Sequence, residues 1–340
     1  MKKKKVAYIL ATLIVIGAAC AIAGYALLLN HPVKKEAFIY IDEDDTADSV
    51  FVKMEKELQA TALSGIKLMA SVYDYEQHIH TGAYKFSPDE KSLDIFRRLK
   101  NGNQTPVRLT IPSVRTVGNL LRTVSRQLMT DSTSIAQLLS DSAYCARLGY
   151  NEFTLPALFI PNTYEVYWNI SADDFINRMK KEHERFWNKE RTEKAQSIGY
   201  TPIEVAILAS IVEEETANKA EKPMVAGLYI NRLHKEMPLQ ADPTVKFALQ
   251  EFGLRRILNK HLEADSPYNT YKHAGLPPGP IRIPSIEGIE SVLNYAHHNY
   301  LYMCAKEDFS GTHNFASNFS QHQANARRYQ QALNARKIMK

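Results

Sequence analysis

The chain opens with an unbroken run of apolar or small residues from Val6 to Leu29, directly behind the block Lys2–Lys5. Its 24 residues exceed the ~20 that a helix needs to cross the hydrocarbon core. A cleaved signal peptide has a shorter apolar segment of roughly 7–15 residues. The pattern predicts an uncleaved single-pass anchor at 6–29 in the cytoplasmic membrane. Residues 1–5 stay inside by the positive-inside bias, and the rest of the chain lies outside the cytoplasm. Cys20 follows Gly17-Ala18-Ala19, but the apolar run continues for nine residues beyond it, which argues against lipid attachment there.

Residues 30–36 read as a short polar tether. After it, Ala37–Ile41, Gly82–Phe86 and Val107–Ile111 have strand character. Val50, Phe51, Met54 and Leu58 recur at helical spacing. Ser87-Pro88-Asp89-Glu90 has the form of a capping box opening a helix with Leu93, Phe96 and Leu99 on its apolar face, and Gly102 can end it. Residues 37–111 therefore form a small α+β module. Its acidic run Asp42-Glu43-Asp44-Asp45 lacks the glycine and the bidentate glutamate of a calcium loop, with Ala47 and Lys53 in those places. It suits a helix N-terminus instead.

Residues 112–200 read as a mostly helical connecting region, broken near Leu158–Tyr164, with a charged, solvated helix face between Asp173 and Gln196. Residues 201–340 carry the dense motifs. The fold class expected is α+β: an N-terminal transmembrane helix, the small module, then a mixed helical and β domain.

Composition narrows the classes. The net charge is +5, of which Lys2–Lys5 supply four, so the remainder is nearly neutral and carries no electrostatic footprint for nucleic acid. Three cysteines make no disulfide framework; Cys145 and Cys304 can pair or stay free. His297, His298, His313 and His322 lack the spacing of a metal motif, and no metal or other cofactor is expected.

Candidate chemistry concentrates behind a second capping box, Thr201-Pro202-Ile203-Glu204. The helix it opens is apolar on nearly every side from Ile203 to Val212 and then meets Glu213-Glu214-Glu215-Thr216. Carboxylates crowded at the negative end of a helix dipole disfavour ionisation, and burial adds to this. A raised carboxyl pKa is what a general acid needs at neutral pH. At 100° per residue Glu213 and Glu215 point apart, and Glu215 shares the buried face of Leu208 and Ile211. Glu215 is thus the candidate acid/base. Glu213 and Asp242 are the weaker candidates for a second carboxylate. Asn231 and Arg232 either orient Glu215 or brace helix packing. Gln240, Asp242, Tyr268, Asn269 and Tyr271 lie in loops whose flat rings and amides would suit a sugar groove.

Five segments stand in order: Ala209–Thr216, Asn231-Arg232-Leu233, Leu239–Thr244, Tyr268–Tyr271 and Gly275-Leu276-Pro277-Pro278-Gly279. With Gly311-Thr312-His313-Asn314-Phe315 near the end, this series resembles the YceG-like family, the MltG endolytic transglycosylases. The chain departs from that pattern at Ser113-Val114 and Pro156-Ala157, where the family commonly has Glu-Gly, and at Pro161-Asn162.

The resemblance implies a LysM-like module at 37–111 and a catalytic domain at 201–340, with Glu215, directly before the threonine, as catalytic glutamate. It implies cleavage of the bond between N-acetylmuramic acid and N-acetylglucosamine in peptidoglycan glycan strands without water, leaving a 1,6-anhydro end and terminating strand growth. Expected partners are glycan strands, the membrane and peptidoglycan synthases. Two other readings remain at this stage: a non-catalytic glycan-binding scaffold, and a hydrolytic muramidase with a second working carboxylate.

Overall fold

The structure, a computed structural model, describes residues 2–254 and 256–336. It is a mixed α+β protein whose chain divides into two compact units. The first holds residues 1–109 with two short returns, 127–130 and 165–170; the second holds 110–126, 131–164 and 171–340. Residues 112–200, read as a connecting region, thus fall almost wholly in the second unit.

The first unit begins with helix α1 (Lys2–Leu29), whose stretch Tyr8–Leu29 is long and apolar enough to cross a membrane, with mean hydropathy 2.3. Its large side chains, Tyr8, Ile14 and Ile22 among them, are exposed, which suits a lipid surround. Then follow β1 (Ala37–Ile41), α2 (Ala47–Glu57), α3 (Ser64–Val72), β2 (Gly82–Phe86) and α4 (Ser92–Lys100). β1 and β2 pair antiparallel from Ala37 opposite Phe86 to Ile41 opposite Gly82. Alternation along β1 turns Ile39 and Ile41 into a core with Met54, Leu58, Ile66, Tyr84, Phe86 and Ile95. The acidic run leads into α2, capped by Thr46, and Lys53 bridges Asp42 and Asp45 where a calcium loop would hold a cation.

Two expectations are corrected here. Ser87–Glu90 is not the start of a helix: Glu90 accepts from the Ser87 amide but spends its other oxygen on Arg98 at 2.7 Å, and α4 begins only after Lys91. Residues 30–36 are not a loose tether. The amides of Lys34 and Lys35 share the Leu58 carbonyl, Thr61 N–H bonds Pro32 O, and Asn30 bonds both Ala62 and Ser92. Val33 is buried in the same core, Leu28 of α1 packs on it, and a Cβ on Gly65 would meet the Leu27 carbonyl at 2.2 Å.

β3 (Val107–Ile111) leads out of the first unit, and β4 (Asn162–Val166) leads back into it. Between them the second unit places α5 (Val117–Ser125), α6 (Ser132–Ser140) and α7 (Ser142–Leu148). The expected break near residue 158 is a 3-10 turn over Leu155–Leu158 followed by β4. The charged stretch 173–196 is two helices, α8 (Ala172–Phe186) and α9 (Lys189–Ser197). Trp187, buried edge-on to Phe186, separates them, and Asn188 caps the second. That stretch is not wholly solvated, since Phe175, Ile176 and Met179 of α8 are buried.

The core of the second unit lies among α10 (Pro202–Glu215), α11 (Lys222–His234) and α14 (Ile286–Leu293). Around it come α12 (Asp242–Leu249), α13 (Asn259–Leu262), the antiparallel hairpin of β5 (Tyr302–Ala305) and β6 (His313–Ala316), and α15 (Phe319–Ala335) against that hairpin. The sequence reading missed this hairpin. Cys145 and Cys304 are both free thiols.

Candidate active site

The site is built on the C-terminal end of α10. Thr201 and Glu204 cap the helix reciprocally, with Pro202 at its first position. Every residue from Val205 to Val212 is buried, so the helix is anchored on all sides. Its one buried hydroxyl, Ser210, donates to Ile207 O and accepts from Ile281 N–H at 3.0 Å. At Thr216 the backbone turns extended, which ends the helix just after the three glutamates.

Those glutamates have three different fates. Glu213 Oε2 accepts the Ser285 amide at 2.8 Å, at the N-terminus of α14. Glu214 takes a bidentate bond from Arg115, at 2.9 and 2.8 Å, and a third from Arg282 at 2.9 Å. Ser113, where the family pattern commonly has glutamate, donates to Ile283 O and touches Arg282. Glu215 has no cation within ion-pair distance among the described residues; its partner is the Tyr229 hydroxyl, which donates to Oε1 at 2.7 Å. Burial pushes its carboxyl up to about 7. The Tyr229 bond pulls the other way, the charge of Asp242 pushes further up, and His313 and Lys246 oppose.

Glu215 opens on one side to a cleft of about 230 Å³, lined also by Tyr229, Arg232, Gln240, Asp242, Tyr271 and His313. A second carboxyl–phenol pair faces it: Tyr271 donates to Asp242 Oδ1 at 2.7 Å. Gln240 sits at φ 49°, a left-handed conformation uncommon outside glycine, held by its amide bond to Thr270 O. Arg232 is buried and braces the cleft wall through the carbonyls of Leu301, Pro238 and Leu239.

The structure therefore brings Glu215, Gln240, Asp242 and Tyr271 together. Three further residues singled out from sequence, Asn231, Tyr268 and Asn269, lie elsewhere. Asn231 donates to the carbonyls of His298 and Tyr300, fixing the segment that leads into the hairpin. Asn269 is fully buried and donates to Leu262 O and Ala264 O. Tyr268 packs between Phe247 and Phe153. Tyr229 and His313 were not singled out as site residues. The signal for Tyr229 was a tyrosine inside an apolar stripe, because a buried phenol needs a partner.

A family model described as the YceG-like family matches residues 39–328. A protein of Bacillus subtilis (strain 168) named endolytic murein transglycosylase is 38% identical over 138 residues, covering 41% of this chain and 38% of that protein. A protein of the same name from Streptococcus pneumoniae serotype 2 (strain D39 / NCTC 7466) is 26% identical over 325 residues, covering 86% of this chain and 58% of that protein. The chain spans less than two thirds of the length of these relatives. The crystal structure of a YceG-like protein from Listeria monocytogenes aligns with TM-score 0.57 at 25% identity, over 85% of this chain and 98% of that one.

Proposed function

The chain belongs to the YceG-like family, and from that premise we propose that it is an endolytic murein transglycosylase with Glu215 as its acid. The observation that carries this reading is the Glu215 carboxyl, held near pKa 7 by burial, facing a cleft and bonded, among the described residues, to a phenol rather than a cation. At neutral pH such a group is substantially protonated and can give its proton to the glycosidic oxygen between N-acetylmuramic acid and N-acetylglucosamine. The C6 hydroxyl of the muramoyl residue then bonds to C1 as the C1–O bond to the leaving sugar breaks. The proton lost by that hydroxyl restores Glu215, and no water is consumed. The hydroxyl is tethered to the reacting sugar and so has a high effective concentration.

Gln240, Asp242 and Tyr271 serve as substrate contacts in this reading, while Asn231, Tyr268 and Asn269 brace the loops that carry them. α1 anchors the chain in the cytoplasmic membrane with its N-terminus inside. The β1-α2-α3-β2 order of the first unit supports a LysM-like glycan-binding role. Cutting nascent strands beside the membrane would terminate their elongation, with synthases as natural neighbours.

Asp242 on the same cleft gives the hydrolytic muramidase its one supporting observation. Product analysis separates the readings. The detergent-solubilised full chain, given uncrosslinked glycan strands, should release fragments ending in 1,6-anhydro-N-acetylmuramic acid, one water lighter than hydrolytic products. Reducing ends carrying labelled oxygen from water would make it a hydrolase, and binding without cleavage a scaffold.

A further inference from the structure

Helix α3 is apolar on two sides and carries one charged residue, Lys67. One side, with Ile66, Met69 and Ala70, is buried in the core of the first unit. The other holds Leu68 and Val72, which are 51% and 70% exposed. A helix that turned this side to water would carry polar residues there. At 100° per residue, Gly65, Leu68 and Val72 fall within about 60° of one another and form a single stripe. Lys67 points away from Gly65 and reaches Glu55 of α2.

That stripe starts at the end of α1. α3 packs on α1 with Gly65 so close that a Cβ there would lie 2.2 Å from the Leu27 carbonyl oxygen. Leu27 stands two residues before the end of the apolar stretch Tyr8–Leu29. The 22 residues of that stretch make a helix of ~33 Å, against a hydrocarbon core of ~30 Å. A spanning α1 therefore carries Leu27 to the outer edge of the hydrocarbon, and Gly65 with it. Val72 lies at most ~10 Å along α3 from that level, comparable with a headgroup layer of ~5–8 Å. Tyr73 follows directly, half-exposed, with its ring packed on Phe96 and Lys100 Nζ 4.1 Å above it. An aromatic ring beside a long-stemmed cation suits the level where hydrocarbon meets headgroups.

We propose that α3 is an interfacial helix: Leu68, Val72 and Tyr73 lie in the headgroup–acyl boundary of the bilayer that α1 spans, so that lipid covers this face. The inference rests on the reading of α1 as a membrane anchor and adds a second point of contact to it. One spanning helix leaves a domain free to turn about the helix axis. With α3 laid on the lipid beside α1, the first unit has one side committed to the membrane, and its ligands must come from the others.

The test places a genetically encoded nitroxide amino acid in the full chain, in place of Leu68, of Val72 or, as a depth reference, of Ala19 at mid-span. Both α3 positions are exposed, so the label has room without entering the core. Each chain is reconstituted singly in phosphatidylcholine nanodiscs. In separate samples the label is relaxed by oxygen, which concentrates in hydrocarbon, by a water-soluble nickel complex, or by a nickel-chelating lipid. Labels at 68 and 72 should answer most to the nickel-chelating lipid, within about 5–10 Å of the headgroup–acyl boundary. The label at 19 should answer to oxygen, ~15 Å inside that boundary.

If the label at 19 is deep while those at 68 and 72 answer chiefly to the water-soluble complex, the face is open to water and this inference alone is overturned. If 68 and 72 answer to none of the three, protein covers the face, which overturns it as well. If the water-soluble complex reaches the label at 19, α1 does not span, and the anchor reading falls together with the inference.

Discussion

The hydroxyl of Tyr229 reaches across from the helix after α10 to donate to Glu215 Oε1 at 2.7 Å, the one hydrogen bond that this carboxyl receives from a side chain among the described residues. The bond favours the charged carboxylate and so restrains a pKa that burial drives up. Tyr229→Phe should release that restraint and move the alkaline limb of kcat/KM to higher pH. A lost bond to a charged group, ~1.5 kcal/mol or more, should also cost about tenfold in kcat. An alkaline limb that stays where it was would mean that the phenol does not bear on the acid.

Glu215→Gln keeps the shape of the group and its acceptor for Tyr229 but removes the titrating proton. Activity should fall by at least ~10²-fold. The stability effect has a definite sign. The carboxyl titrates at 4.5 when unperturbed and at about 7 in the fold, so its stabilising contribution is complete below pH ~4.5 and lost as pH rises through 7. Gln does not titrate. Thermal melts should therefore show the variant gaining on the wild type between pH 5 and pH 8, by on the order of 2–3 kcal/mol at the plateau. A pH-independent difference would contradict the buried, neutral acid.

The neighbouring glutamates should behave quite differently. Glu213 and Glu214 are spent on the Ser285 amide and on two arginines. Their Gln variants should keep activity within about tenfold of wild type, while Glu214→Ala, which strands Arg115 and Arg282, should lower stability by ~1–3 kcal/mol. A rate measurement beside a denaturant titration checks both. A dead Glu213→Gln with a working Glu215→Gln would reverse the assignment.

Gly279 closes the Gly-Leu-Pro-Pro-Gly loop against the backbone of Phe153. A Cβ there would lie 1.9 Å from the Phe153 carbonyl oxygen and 3.0 Å from the Tyr268 hydroxyl. Backbone cannot yield cheaply, so Gly279→Ala should destabilise by ~1–3 kcal/mol. Gly118, in α5 with nothing near its would-be Cβ, is the control: Gly118→Ala should be neutral or gain ~0.4–1 kcal/mol. Equal melting temperatures for the two variants would refute the close approach.

What the sequence disclosed follows from how local the signals are. Strands at 37–41, 82–86 and 107–111 and the capped helix from Thr201 stand where alternation and caps placed them, because those signals act within a few residues. Ser87–Glu90 had the right letters for a cap, yet Arg98 claims Glu90 from the next helix. The turn at Trp187 depends on packing that no period records. The facing argument agrees with the burial of Glu215, because helical geometry is fixed, and Gln240, Asp242 and Tyr271 line the same cleft. No such argument was open for the amides of Asn231 and Asn269, since an amide facing a sugar and an amide holding a carbonyl look alike until the carbonyl's owner is known.

The pinning of residues 30–36 also governs how this protein can search. Seven free residues would let the first unit wander over roughly 15 Å, at 5–6 Å times the square root of their number. With Asn30, Pro32, Lys34 and Lys35 bonded into that unit and Leu28 packed on its core, this slack is gone. If α1 spans a bilayer as proposed, the first unit is held at one height relative to the headgroups, and its search for the proposed glycan substrate is confined to the plane of the membrane.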